Sequence, residues 1–440
     1  MTDRPLRVAV LGGGTVGAEV VRALLEGGSG SRRSADHSTA PRFELVGVAV
    51  RNVDAARARG LPADLLTDAP AHLVAAPDSD VIVELLGGDE PALTLVTAAL
   101  SAGKAVVTAN KHLLARHGPA LERVARATDT PLRFEAAVGA GIPVLGPLAA
   151  DLGANRIDRV RGIVNGTTNF ILTAMTDGGG TYEAALRMAQ TRGYAEADPS
   201  GDVEGRDAVN KLVILARLAF GTWLDPMGIP VAPPTIRGTG GAGITGVTGP
   251  ELLAARQLGL AIRLLASVSV GDDRRIEACV LPTAVPLASP LGATEGERNR
   301  IEVSGEPIGR VGFDGPGAGG AATSSAVLGD LLAIAHGAGS TWAGSAPGTV
   351  TAAGDDAAGG DPNRDGEDAN HRGAGSPRPW FALLPGSRAG RVLAELAEAH
   401  VDVETGVAIR TAPIELDRLR SRLRDAAPET LDAQLYPIDD

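Results

Sequence analysis

The chain has 440 residues, too many for one compact domain and enough for two or three, each with its own core. A formal net charge of −12 leaves no basic face for a nucleic-acid backbone, and no run of about 18 apolar residues offers a membrane span. The opening MTDRPLRVAVLGGGTVG lacks the basic, apolar and small-residue regions of a signal peptide, so a cytoplasmic protein is expected, and the single Cys279 excludes an intrachain disulfide framework.

Short apolar, β-branched runs at 6–11, 43–50, 81–85, 105–108 and 132–134 alternate with stretches of helical period. That alternation predicts a doubly wound parallel sheet, covered on both faces, over residues 1–135. Directly after the first run, Gly12, Gly14 and Gly17 form G-x-G-x-x-G at the start of a helix. This pattern lets the backbone approach a pyrophosphate at a helix N-terminus, and it makes the loop Gly12, Gly14, Thr15, Val16 and Gly17 a candidate cofactor cradle. At the end of the second strand, where an acid usually holds a ribose 2′-hydroxyl, stands Arg51. A cation there favours NADP over NAD, although a solvated surface arginine is the plain alternative and an insertion at 27–42 lengthens the spacing.

From about residue 136 the pattern changes. Helices are predicted over 181–191, 207–220 and 250–267, with strands near 160–164, 275–281 and 301–303, giving an α+β domain over 136–322. A helix at 323–336 is expected to return to the first domain. Residues 337–378 are rich in Gly, Ala, Asp and Pro, cannot bury enough apolar surface to offset their ordering entropy, and read as a disordered linker. Beyond them, 380–384, 387–400, 401–409, 413–424 and 434–438 read as strand, helix, strand, helix, strand, a small α+β module over 379–440.

Three of the 41 basic residues are lysines, Lys104, Lys111 and Lys211, so each lysine calls for a reason. An ammonium can release its proton when burial lowers its pKa, whereas a guanidinium stays charged. Asp207 and Lys211 stand four apart on one helix face, with Glu204 three positions before. A solvated salt bridge worth about 0.2–0.5 kcal/mol has the same spacing. The rarity of lysine and the further carboxylates of EADP and Asp202 count for chemistry instead.

The motifs ELLGG (84–88), VVTANKHLLA (106–115), FEAAVGAGIPVL (134–145), GIVNGTTNFIL (162–172), GYAEADPSGDVEGRDAVNKLVILA (193–216) and GPGAGGAATSSAVLGDL (315–331) resemble, in order, those of homoserine dehydrogenase. The resemblance spans roughly residues 5–336 and implies an NAD(P)-dependent oxidoreductase. The reaction it implies is the interconversion of L-homoserine and L-aspartate 4-semialdehyde, in the threonine, methionine and isoleucine branch of amino-acid biosynthesis. It implies a Rossmann domain, a catalytic and dimerisation domain, and a homodimer or dimer of dimers. On its authority Lys211 is the proton donor and acceptor, Asp207 and Glu196 hold the amino acid, and Asp202, Gly166 and Thr167 join them. Lys111 lies between cofactor and substrate, and Gly193 and Gly317 contact the cofactor. A sodium-like ion is implied at Glu135, Val138, Ala140 and Ile142, largely through main-chain oxygens, the ligand type that suits alkali ions. From the residues alone that segment is a plain strand-to-loop junction, and NGTTN is a plain helix N-cap.

The last module resembles the opening β-α-β of an ACT domain, with Pro385 and Gly386 near the usual ligand turn. After Ile409 the chain runs through TAP into the next helix, which leaves no room for a third hairpin strand, so a degenerate module without effector binding is expected. Every matched motif precedes residue 337, so a chain ending near Gly375 is expected to stay active. The non-enzyme alternative is an NADP-sensing regulator on the same fold; the presence of Lys211, Asp207 and Glu196 favours the enzyme.

Overall fold

The computed structural model describes residues 4–26, 42–271, 274–351, 377–385, 396–426 and 432–439. The chain divides into two compact units. The first takes Met1–Arg156, Val213–Pro226 and Gly315–Thr351; the second takes Ile157–Leu212, Met227–Asp314 and Ala352–Asp440. The first of these units runs on past residue 135 to Arg156, and the final segment groups with the second unit. Most of the expected linker, like the insertion at 27–41, lies outside the described residues.

In the first unit, β1 (Leu6–Leu11), β2 (Phe43–Ala49), β3 (Leu66–Thr67), β4 (Val81–Glu84), β5 (Ala105–Thr108) and β6 (Leu132–Arg133) form a parallel sheet in the order β3-β2-β1-β4-β5-β6. This is the doubly wound Rossmann arrangement, whose strand ends meet ligands where the order reverses, between β1 and β4. All four residues of β4 and of β5 are buried, as a strand covered on both faces requires. The crossovers are α1 (Thr15–Leu25), α2 (Val53–Ala58), α3 (Pro70–Ala75), α4 (Ala92–Ser101) and α5 (Lys111–Ala127), and a short α6 (Leu145–Ala149) follows.

The second unit opens with β7 (Arg156–Ile163), α7 (Gly166–Gly178), α8 (Tyr182–Thr191), α9 (Ser200–Val203) and α10 (Arg206–Phe220). Two short strands, β8 (Thr222–Leu224) and β13 (Thr349–Thr351), pair in parallel within the first unit. There too lies α12 (Gly320–Ala335), whose Val327 and Leu331 share an apolar cluster with Val8, Val20 and Val21. In the second unit α11 (Gly249–Gln257) leads into β9 (Leu260–Val270), β10 (Ile276–Pro286), β11 (Arg298–Glu306) and β12 (Gly309–Pro316), giving a sheet in the order β10-β9-β7-β11-β12.

The helix expected over 250–267 is therefore half strand. Gly259, with φ 74, ends α11 in a left-handed conformation, and LAIRLLASVSV continues as an eleven-residue strand paired with β10. A fully buried strand presents a continuous apolar run, which leucines make indistinguishable from a buried helix.

The final segment holds β14 (Trp380–Pro385), β15 (Ala397–Val403), β16 (Gly406–Thr411), the helix Leu416–Ala426 and β17 (Tyr436–Pro437), with sheet order β15-β16-β14-β17. The third strand that the sequence left no room for is present. Residues 401–409, expected as one strand, are a hairpin in which Val403 pairs with Gly406 across Glu404 and Thr405. Residues 397–400, expected at the end of a helix, belong to β15, while 386–395 lie outside the described residues. A turn without Asn-Gly or Asp-Gly hid the reversal.

This small sheet shares its apolar cluster with Ile236, and Arg420 donates to the carbonyls of Thr235 at 2.8 Å and Gly238 at 2.6 Å.

Candidate functional site

At the nucleotide end of the first unit, geometry explains each glycine of the fingerprint. A Cβ on Gly12, where φ is +111, would sit 2.5 Å from the Leu85 carbonyl oxygen, and one on Gly17 would sit 1.9 Å from the Gly12 oxygen. A Cβ on Gly14 would meet nothing within 4 Å, so that position faces open space. No side chain caps α1 and no acid lies in its first turn, so Thr15 and Val16 begin a helix whose positive end suits an anion. Arg51 is exposed just beyond β2. Gly317 lies in the loop before α12, and a Cβ on the neighbouring Gly320 would meet Thr15 at 3.0 Å, so this loop runs beside the fingerprint helix.

Glu84, unassigned at the sequence level, organises the ends of β4 and β5. It is fully buried, and its carboxylate accepts from the backbone N–H groups of Leu86 at 2.7 Å and Gly87 at 3.3 Å and from the Thr108 hydroxyl at 2.5 Å. Burial pushes its pKa up, against the pull of those hydrogen bonds. Asn110 links the same loops, donating to the Gly88 carbonyl at 2.8 Å while capping α5 through Leu113. Lys111 is the first residue of that helix, held at the carboxyl end of the parallel sheet. Lys104 has a structural place instead: buried, it donates to the Ala76 carbonyl and to the Ser79 hydroxyl at 2.6 Å.

The FEAAVGAGIPV segment makes a tight loop. Gly139 and Ala140 are consecutive left-handed residues, with φ 73 and 53. The Glu135 carboxylate is taken up by backbone N–H groups at the start of α6, from Val144 at 2.8 Å, Leu145 at 2.9 Å and Gly146 at 2.7 Å. That carboxylate is thus engaged by the backbone at the start of α6. Among the described residues no group of three or more His, Cys, Asp or Glu is arranged to hold a metal.

In the second unit the acid and lysine pattern becomes one hydrogen-bonded cluster. Lys211, 8% exposed, donates to the Asp207 carboxylate at 2.7 Å and to the Val164 carbonyl at 2.6 Å. Asn165, the residue after that carbonyl, donates to Asp207 at 2.8 Å and to Asp202 at 2.7 Å. Its own Oδ1 caps α7 by accepting from the Thr168 N–H. One side chain thus caps α7 and joins the two carboxylates. The solvated salt bridge is excluded by burial: the side chains of Lys211 and Asp207 are 10% and 12% exposed.

Thr167 donates to the Tyr194 carbonyl at 2.7 Å, which ties α7 to the loop after α8. Gly166 is small for a packing reason, since a Cβ there would lie 2.5 Å from the Glu297 carbonyl. Gly193, with φ 77, turns the chain out of α8. Glu196 is exposed on the same loop, and no hydrogen bond ties its carboxylate to the cluster. The structure therefore joins Lys211, Asp207 and Asp202, through the unforeseen Asn165, and leaves Glu196 outside.

Comparison with known proteins matches this layout over most of the chain. Residues 12–135 match the family model described as homoserine dehydrogenase, NAD binding domain, and residues 143–332 match the homoserine dehydrogenase model. A homoserine dehydrogenase of Mycobacterium leprae is 44% identical over 341 residues, 76% of this chain and 73% of that protein. The crystal structure of a homoserine dehydrogenase from Thiobacillus denitrificans superposes with a TM-score of 0.80 at 32% identity, covering 99% of each chain. A hyperthermophilic archaeal homoserine dehydrogenase in complex with NADPH aligns over 75% of this chain and 97% of its own, with a TM-score of 0.59 at 26% identity.

Proposed function

The chain belongs to the homoserine dehydrogenase family, and on that premise we propose that it interconverts L-homoserine and L-aspartate 4-semialdehyde with a nicotinamide cofactor. The observation that carries the reading is the buried ammonium of Lys211, held between the Asp207 carboxylate and the Val164 carbonyl. The cradle fits a dinucleotide, because glycine at 12 and 17 lets the loop fold tightly against Leu85 and on itself, Gly14 faces open space, and α1 begins without a cap.

When bound, the cofactor supplies the hydride donor or acceptor. Gly12, Gly14, Thr15, Val16 and Gly17 hold its pyrophosphate, joined by Gly193 and Gly317. Arg51 meets the ribose 2′-phosphate and makes NADP the preferred form; the relative with NADPH bound supports that choice.

Lys211 gives its proton to the aldehyde oxygen in the reducing direction and takes it back in the other. Asp207, anchored by Asn165, orients the ammonium, and Asp202 is held by the same Asn165. Lys111 offsets negative charge developing on the substrate oxygen. Gly166 and Thr167 shape the substrate site, and Glu196 meets the amino acid ammonium. Its exposed loop position means that it does so by approaching a bound substrate, not by standing ready in the cluster.

Main-chain oxygens of Glu135, Val138, Ala140 and Ile142 hold a monovalent cation, most simply sodium, which would stiffen the left-handed turn at Gly139 and Ala140. The final sheet, with its hairpin strand present, serves as an ACT-like module, and the protein works in the cytoplasm as a dimer or dimer of dimers.

The test is NADPH oxidation by the full chain with L-aspartate 4-semialdehyde, alongside Lys211→Ala and Lys211→Arg. Wild-type turnover that both variants lose supports the reading; a wild-type chain inactive with NADPH and NADH refutes it.

A further inference from the structure

The strand that serves the cluster is itself held from behind. Arg159 and Arg161 lie two apart on β7 and so share one face of it. Both reach Asp439: Arg159 meets it through two nitrogens, at 2.9 Å and 2.5 Å, and Arg161 through Nη1. Arg161 also meets Glu302 on β11 at 3.2 Å, and Glu302 accepts from Arg300 at 2.9 Å. The result is a row of three guanidinium groups and two carboxylates at the middle of the sheet. Its central members are nearly dry, with side-chain exposures of 3% for Arg161, 1% for Glu302 and 13% for Asp439.

Asp439 is placed by backbone bonds on both sides. Its N–H donates to the Ala284 carbonyl on β10 at 2.9 Å, and the N–H of Ile438 donates to Pro379, next to β14, at 2.9 Å. One carboxylate therefore joins the small sheet to β7. Val164 lies three positions beyond Arg161, about 10 Å at the rise of a strand. Between them, Gly162 lies so close to β11 that a Cβ would be 2.4 Å from the Arg300 carbonyl oxygen, which leaves β7 little room to slide.

We propose that Asp439 is a positioning residue for the reaction: by holding Arg159 and Arg161 it fixes the end of β7, from which Val164 and Asn165 hold Lys211 and Asp207. The inference deepens the proposed function and rests on its assignment of Lys211. Without the carboxylate, Arg159 and Arg161 lose the acid they share, and Glu302 and Asp314 are left to balance the three guanidinium groups. Arg159 and Arg161 then repel each other without a common anchor, and the strand end that carries them is held less firmly in place. The substrate site is affected while the fingerprint of the first unit is not.

The experiment uses the full chain with Asp439→Asn and Asp439→Glu, assayed for kcat and KM and checked for folding by circular dichroism well below the melting midpoint. Asp439→Asn is expected to lower kcat by a few-fold to about 10²-fold, the range a small misplacement of reacting groups produces, with KM for NADP nearly unchanged. Asp439→Glu, which keeps the charge, should recover most of the loss. A folded Asp439→Asn protein with wild-type kcat overturns the proposal, even if it melts earlier. So does a loss that Asp439→Glu shares in full.

If Asp439→Asn does not fold, Arg159→Gln replaces it, because Arg159 is the more exposed arm, at 35%. It should lower kcat in the same sense, and unchanged turnover overturns the proposal. Lys211→Arg, run in parallel, separates the two ideas. Retained activity there removes the underlying reading, whereas an inactive Lys211→Arg beside a normal Asp439→Asn removes only the positioning role.

Discussion

Glu122→Gln should destabilise the first unit strongly, and the structure gives the size. The carboxylate, 5% exposed, accepts from Arg217 at 2.6 Å and 2.9 Å, from Arg126 at 2.9 Å and from the Trp223 indole at 2.7 Å. Burial raises its pKa, but the hydrogen bonds from Arg217 and Trp223 and the Arg217 charge outweigh burial and hold it at about 2, against an ordinary 4.5. At about 1.4 kcal/mol per pK unit, that depression is worth up to about 3 kcal/mol. The amide keeps the shape but leaves Arg217, 1% exposed, without its counterion, and breaking such a buried pair costs about 3–5 kcal/mol.

Because the folded pKa is depressed, the stabilisation is fully present above about 4.5 and is lost as pH falls toward about 2. Urea unfolding followed by tryptophan fluorescence is the assay, since Trp223 and Trp342 both lie in this unit with ring centroids 6.3 Å apart. The variant should unfold at clearly lower urea near neutral pH, and its gap from wild type should narrow as pH falls from 4.5 to about 2. Equal midpoints at neutral pH, or a gap that stays constant through that window, would refute the reasoning.

Lys211→Ala and Lys211→Arg should each lower kcat by about 10² to 10⁴-fold with cofactor affinity nearly unchanged, because a guanidinium keeps the charge but cannot release the proton; stopped-flow binding of NADPH together with steady-state turnover checks both halves. Arg51→Asp should raise KM for NADP far more than KM for NAD, and equal effects on the two would show that Arg51 does not read the 2′-phosphate. A chain ending near Gly375 should lose most of its turnover, because it lacks Asp439; a folded, fully active truncation would show that the small sheet is dispensable.

What the sequence revealed and what it concealed divide along the range of the interactions. Five of the six parallel strands were legible as short apolar runs, the two-residue β3 was not, and the fingerprint was legible because Gly12 and Gly17 are steric demands written as residue types. Asp207 and Lys211 could be paired because four residues on a helix make one face. Asn165 could not be read this way. Its two carboxylate partners lie 37 and 42 residues further along, and within its own segment it reads only as a cap. Glu84 stood inside a quoted motif, yet its burial against Thr108 depends on the pairing of β4 with β5. The Glu404–Thr405 reversal was local but lacks Asn-Gly or Asp-Gly, and the stop at Gly259, a residue that commonly ends helices, was hidden by the leucine-rich run that follows it.

The same division reverses the expectation for the truncated chain. Sequence motifs cluster where side chains meet ligands, so a segment without matched motifs looks removable. Stability and placement follow from pairs distant in the chain, and here the pairs run from Arg159 and Arg161 to a residue about 280 positions away. Ile236 lies in the small sheet's core, and Thr235 and Gly238 accept from Arg420, so the second unit would expose apolar surface and lose charge partners together. If Asp439→Asn behaves as proposed, a segment without matched motifs is needed for turnover through the one carboxylate that it brings to β7.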